Sequence, residues 1–320
     1  ICNFYHATSW QIHKCIKYLQ LKMETKKVRI GCASGFWGDT STAAKQLVEK
    51  GNLDYLVFDF LAEVTMSILA RAKLKNPKMG YAIDFVDQLR PLIKKIKNQK
   101  IKIVTNAGGI NPHSCEHALQ QEAEKLGLRL NIAVIEGDDI LSDLPTLKKQ
   151  EVRELEKNSF LPDSCLSINA YLGTSGIVKA LDEGADIVIT GRVVDSALVL
   201  GPLMHEYRWK NSDYDLLSAG SLAGHIIECG AQCTGGNYTD WKEVKGFENI
   251  GFPFVDVFSN GDFIVSKPKE TGGMVTFGTV SEQLVYEIGD PSEYILPDVI
   301  CNFSKVKISE TGSCLLYTSD

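Results

Sequence analysis

The sequence predicts an α/β protein: a mainly parallel sheet with helices on both faces, Rossmann-like, followed by a smaller β-rich region. Three observations carry this. The first two-thirds of the chain alternates strand-like with helix-like runs. The strand-like runs, such as "LDYLVFDF", "KIKIVTNAGG" and "ADIVITGRVVD", are almost continuously apolar, as strands covered on both faces must be. From about Gly246 the pattern changes to short β segments and turns, with an "NGD" turn at Asn260 to Asp262. A barrel of alternating strands and helices is the alternative, because both architectures put ligands beyond the carboxyl ends of their strands.

The elements follow in order. "VRIGCAS" is a strand, and "TSTAAKQLVEKG" a helix capped among Thr40 to Thr42 and stopped by Gly51. "LDYLVFDF" is the second strand. "LAEVTMSILARAKLK" is helical up to Pro77, and "AIDFVDQLRPLIKKIKN" is helical with a bend at Pro91. "KIKIVTNAGG" is a strand, and "PHSCEHALQQEAEKLG" a helix with Pro112 in its first turn. "LRLNIAVIEGDD" reads as a strand, "TLKKQEVRELEKN" as a charged exposed helix, and "SCLSINAYLG" as a fifth strand. "SGIVKALDEG", "ADIVITGRVVD" and "SALVLGPLMHEYRW" read as helix, strand and helix. "PFVDVFSNGDFIVSKP" and "GGMVTFGTVSEQLVYEIGDP" read as β segments.

Both ends are set apart. Residues 1–22 lack an initiator Met and the features of a secretory signal, and Met23 opens "METKKVRIGCASG" like a natural start. They are expected to be translated leader. Residues 314–320, "CLLYTSD", back-translate into a transposon mosaic end of the kind carried by sequencing adapters, and are set aside as adapter. Residues 23–245 are then the α/β ligand-binding domain and 246–313 a β-rich continuation that is cut short.

Composition narrows the function. The chain has 320 residues, 44% of them hydrophobic, and a net charge of −6. That suffices for a large core, and no basic block suggests nucleic acid. No apolar run approaches the ~18 residues of a membrane span. Of nine cysteines, setting aside Cys2, Cys15 and Cys314 leaves six, scattered and without a CxxC pair. Reduced thiols in the cytoplasm or mitochondrial matrix fit better than secretion.

In a parallel sheet the strand ends converge on one rim, so the polar residues there are the site candidates. After the first strand come Gly35, Gly38, Asp39 and Thr40. This is a glycine-rich turn into a helix, able to bring backbone N–H groups to an anion, though it matches neither the dinucleotide fingerprint nor the P-loop. Asp59 and Glu63 end the second strand. Asn106, Gly108, Gly109 and Asn111 follow the third, combining close backbone approach with amide donors. "EGDD" offers Asp138 and Asp139 as general base or divalent-metal ligands, or as helix caps. Gly173 and Thr174 face a helix N-terminus. In "TGRVVDS", Arg192 suits a carboxylate or phosphate fork, with Asp195 as base or as its ion-pair partner. His225 and Glu228, three apart, line a site or a buried helix. His113 and His117 lack the zincin order and belong on a helix surface. The catalytic candidates are Asp138, Asp139 and Asp195; the ligand-binding candidates are the glycine-rich turn at Gly35, Gly38, Asp39 and Thr40, the third-strand group Asn106, Gly108, Gly109 and Asn111, and Gly173, Thr174 and Arg192. No cofactor is fixed: a divalent metal stays open.

Together "VRIGCASGFWGDT", "DYLVFDFLAEVTMSILARAK", "KIVTNAGGINP", "VIEGDD", "GADIVITGRVVDSALVLGP" and "GHIIECGAQCTGGN" resemble the acyclic terpene utilisation (AtuA) family, and "GGMVTFGTVSEQLVYEIGDPSEYILPDV" extends the likeness. The resemblance implies catabolism of citronellol- or geraniol-type terpenoids, by an enzyme acting on a branched acyl-CoA or related carboxylate through a hydratase- or lyase-like step. A non-catalytic binding subunit partnering an acyl-CoA carboxylase is the alternative. The family carries no established catalytic residues over to this chain.

Overall fold

The computed structural model describes residues 26–154 and 157–310, and residues 315–318 by their backbone. The leader reading of residues 1–22 lies outside the described residues, as do Cys314, Ser319 and Asp320 of the adapter reading. Leu315–Thr318 form a strand.

Five strands run parallel: β1 (Lys27–Cys32), β2 (Tyr55–Phe58), β3 (Lys102–Thr105), β4 (Ile132–Ile135) and β5 (Ile187–Thr190), in the spatial order β1-β2-β3-β5-β4. β6 (Phe254–Phe258) pairs antiparallel with the free side of β1, and β7 (Phe263–Ser266) with β6. The pair β10 (Lys307–Glu310) and β11 (Leu315–Thr318) extends the same sheet beyond β7. The sheet is open, so the barrel alternative is not what forms. The "NGD" turn is present: Gly261 has φ +86° and the Phe258 N–H bonds the Asp262 carbonyl.

Alternating side chains split the core in two. Tyr55 and Val57 of β2 point to one face, Leu56 and Phe58 to the other, and all four are buried. Helices α1 (Ala43–Lys50), α2 (Glu63–Lys75), α3 (Ile83–Leu89), α4 (Ile93–Gln99) and α5 (Pro112–Lys125) cover the Leu56 face. The run around Pro91 is indeed broken there, into α3 and α4. The short α6 (Leu144–Lys149) is followed by α7 (Ser175–Asp182), α8 (Ala197–Tyr207) and α9 (Tyr214–Glu228), which cover the Tyr55 face.

The chain changes face at β4. It runs outward from β3 through α5, then returns through α7 to place β5 between β3 and β4. Crossovers of one hand in opposite directions must lie on opposite faces. As a result β3 exits to α5 and its neighbour β5 to α8, on opposite sides of the sheet. A crevice opens between such strand ends.

Three expected elements differ. "SCLSINAYLG" makes single bridges only, Asp139 with Asn169 and Leu172 with Val193, and its backbone bonds two different neighbours in turn, residues 138–140 and then 192–194, without a continuous ladder to either. Among the described residues, "TLKKQEVRELEKN" is helical only within α6. That helix buries none of its side chains, and Glu151 turns left-handed at φ +54°. "TFGTVSEQLV" forms helix α10 (Phe277–Val285) rather than strand: a capping box between Thr276 and Thr279 starts it, and Val280 packs into the core, overriding the β propensity of Val, Thr and Phe. A small hairpin, β8 (Tyr294–Ile295) and β9 (Ile300–Cys301), follows.

Candidate active site

A cavity of about 470 Å³ lies beyond the carboxyl end of β5. One wall comes from the turn after β5, with Val194, Asp195 and Ser196. The last residue of α9, Glu228, supplies a second carboxylate, and Tyr171 closes one side. Tyr294, Ile295, Leu296 and Pro297 of the β8–β9 hairpin form an apolar roof. The hairpin is held by Asp298, whose carboxylate accepts the Thr174 N–H at 3.1 Å and the Thr174 hydroxyl at 2.7 Å.

The polar wall is built around Arg192. This residue is 5% exposed, yet its guanidinium has several neighbours. Nη1 donates to the Leu61 carbonyl and stands 3.2 Å from Asp195 Oδ1, and the guanidinium lies 4.2 Å over the Tyr171 ring. The Tyr171 hydroxyl donates to Glu63, which holds the Glu63 carboxyl below its ordinary range. Behind Arg192 lies Asp59 at the end of β2, fully buried, accepting from Asn106 Nδ2 at 2.6 Å and from the Leu61 N–H at 3.3 Å. Burial pushes Asp59 up to about 7, aided by the Glu228 charge and opposed by Asn106 and Arg192.

Asp195 is the exception in this network. Its Oδ1 is sealed from solvent and, despite the nearby guanidinium, makes no aligned hydrogen bond. The side chain as a whole keeps 31% exposure, toward the cavity. Burial raises its affinity for a proton well above that of an ordinary aspartate, and the charges of Asp59 and Glu228 add to this. Asp59, Asp195, Glu228 and Glu63 outnumber the cations around them, and the excess is relieved by protonation. Glu228 is paired on its other side: His225 Nδ1 lies 2.9 Å from Glu228 Oε1, and His225 Nε2 lies 3.1 Å from the Leu284 carbonyl.

The residues read from the sequence divide sharply. Asp195 and Glu228 line this cavity, with Arg192 directly behind Asp195. Asp138 is buried, and its Oδ2 accepts the Arg192 N–H at 2.7 Å and Asn169 Nδ2 at 2.9 Å, tying the ends of β4 and β5 together. Asp139 is exposed and accepts the Leu141 N–H, capping the turn before α6. Asn106 joins Asp59 to the Phe60 N–H. Gly108 and Gly109 allow backbone approach: a Cβ would stand 2.5 Å from the Thr190 carbonyl oxygen and 2.5 Å from Leu69 Cδ1, respectively. Asn111 donates to the carbonyls of Pro77 and Met79. Gly173 and Thr174 do meet an anion at a helix N-terminus, but it is the chain's own Asp298. Gly35 packs on the Cys229 backbone, where a Cβ would come within 2.7 Å of a carbonyl carbon. Asp39 Oδ2 accepts the Gly35 N–H at 3.0 Å, closing that loop on itself. Gly38, Asp39 and Thr40 border a separate, open trough of about 660 Å³ that also touches Lys45, Asp84 and Asp87.

Glu228 and Tyr171 complete the cavity. The His225–Glu228 spacing signalled the first and the fifth rim segment the second. Nothing local signalled Tyr294 to Pro297. Among the described residues no three His, Cys, Asp or Glu side chains are grouped to hold a metal ion, and no helix is long and apolar enough to cross a membrane. The family model of "Acyclic terpene utilisation family protein AtuA" matches residues 28–314. No curated protein and no solved structure matches.

Proposed function

The chain belongs to the acyclic terpene utilisation family, and from that premise we propose that the cavity at the end of β5 performs acid–base chemistry on a branched, largely apolar acyl group, carried as a CoA thioester. The observation that carries this is Asp195: a carboxyl group that favours its protonated form, with one unsatisfied oxygen, facing an apolar roof. A carboxyl whose proton affinity is raised by its surroundings can serve as a proton donor. The volume of about 470 Å³ suits a small branched chain rather than a whole cofactor. With Asp195 and Glu228 both on the wall and the Arg192 guanidinium behind it, a free carboxylate would meet like charge. A neutral thioester would not, so the acyl-CoA is favoured over the free acid. In a hydratase- or lyase-type step Asp195 delivers its proton to the carbon beside the thioester carbonyl, or recovers it in reverse.

The test is direct. The protein is incubated with 3-methyl-branched 2-enoyl-CoA and 3-hydroxyacyl-CoA thioesters, and products are followed by mass for gain or loss of one water. Asp195→Asn should lower turnover by about 10²–10⁴-fold while leaving the thioester Kd unchanged. Equal turnover by wild type and Asp195→Asn would exclude Asp195 as the acid. Absence of both binding and turnover would favour a subunit that works only with an acyl-CoA carboxylase.

A further inference from the structure

The contacts of His225 constrain its protonation. The Leu284 carbonyl only accepts, so the ring nitrogen facing it at 3.1 Å, Nε2, carries a hydrogen. An ionised Glu228 also only accepts, and beside it Nδ1, at 2.9 Å, carries one too. A ring with hydrogens on both nitrogens is an imidazolium. It is 1% exposed and stacked at 6.4 Å on Phe303, with Tyr294 beside it at 6.0 Å. A buried cation of this sort needs a fixed counter-charge, and Glu228 is the carboxylate it touches. Glu228 spends one oxygen on His225 and also lines the cavity.

From this geometry we infer that Glu228 is the general base of the cavity and that buried His225 is the positioning residue that keeps it ionised and aimed. The inference rests on the acid–base reading of the cavity above. Two carboxyls then share one wall in opposite states. Asp195 is held protonated by burial, Asp59 and Glu228. Glu228 alone of the two also touches the His225 ring, at 2.9 Å. The groups facing the pair are Asp195 and Asp59 from the sheet rim, Arg192 behind them, Tyr294 from the hairpin and Cys229 at the helix end. The net proton affinity of His225 is raised: burial opposes the charge, but Glu228 and the Leu284 carbonyl outweigh it. Tyr294 stays a neutral phenol, its ionisation suppressed by burial and then by Glu228. In the forward direction Glu228 takes a proton from water as the water oxygen bonds the β-carbon, and Asp195 gives its proton to the α-carbon. One molecule of water is added, and proton exchange with solvent restores both carboxyls.

The experiment reads His225 without relying on turnover. In protein labelled with [¹⁵N]histidine, the His225 ring, assigned by its loss in His225→Gln, should show both nitrogens protonated at about pH 7. Glu228→Gln should convert it to a neutral ring with hydrogen on Nε2 only. A neutral His225 in the wild type, or a ring unmoved by Glu228→Gln, overturns the inference. With a 3-methyl-branched 2-enoyl-CoA, Glu228→Gln should lower turnover at least about a hundredfold, and His225→Gln should raise the pH at which the base limb of the rate profile appears. If Glu228→Gln does not fold, Glu228→Asp keeps the ring protonated while its retracted carboxylate loses turnover. An imidazolium in a wild-type protein that hydrates no thioester overturns the acid–base reading of the cavity and not the ion pair.

Discussion

Asp138 and Asp195 make an instructive pair. Both follow neighbouring strands, and both lie against Arg192. Asp138 accepts a backbone N–H and an amide through Oδ2, and its neighbours leave no room for more: even a Cβ on Gly191 would stand 2.4 Å from that oxygen. Asp195 faces the same arginine with an oxygen that makes no hydrogen bond, and opens onto a cavity. A carboxylate whose acceptor capacity is filled by fixed donors serves as a joint between strands. One left short of donors holds its proton and can pass it on. Residue type and position at the rim are the same; the supply of N–H groups separates the roles.

The comparison can be broken by mutation. The largest effect is expected at Asp138: Asp138→Ala removes the acceptor of two bonds and should cost about 3 kcal/mol in urea unfolding, whereas Asp195→Asn should stay within about 1 kcal/mol of wild type. Equal costs would erase the distinction. The pH dependence comes next. Asp59 has a folded pKa of about 7, above its unfolded value, so the folded protein binds this proton more tightly. Its contribution to stability is full at acid pH and is lost as pH rises through the interval up to about 7. Asp59→Asn should flatten the stability profile there, by at most about 1.4 kcal/mol per pH unit for one proton. An unchanged slope would show that the rim acids do not share an excess of charge. The smallest effect is expected at Asp298. Asp298→Ala should cost about 1 kcal/mol through loss of its cap on α7, and should speed protease cleavage in the β8–β9 hairpin. If cleavage stays slow, the cavity roof is held by its apolar contacts alone.

How much of this was legible depended on distance along the chain. The parallel strands were readable because burial on both faces writes itself as continuous apolar runs. Asp195 and Arg192 could be placed at the sheet rim because strand ends must converge. The reading could not tell Asp138 from Asp195, since the donors that fill Asp138 come from positions 31 and 54 residues away. The pairing of His225 with Glu228 was visible as a spacing of three on a helix. Its place at the cavity was not, because that depends on where α9 ends over the sheet. Thr174 looked like a landing point for an external anion, and the competing carboxylate lies 124 residues on. Helix α10 was hidden by side chains that favour strands, and only its reciprocal threonine cap marks it.

β1 opens the sheet in sequence but sits inside it in space. The neighbour on its outer side is β6, and the forked pairing of Arg29 with Asp256 joins them across 227 residues. During synthesis the exposed main chain of β1 therefore waits through 227 further residues, from Arg29 to Asp256, before its partner exists. Until then it is an unpaired, mostly apolar edge able to accept a strand from another chain. The growing polypeptide would be most prone to association in this interval, and its cure is the arrival of a single five-residue strand, Phe254–Phe258.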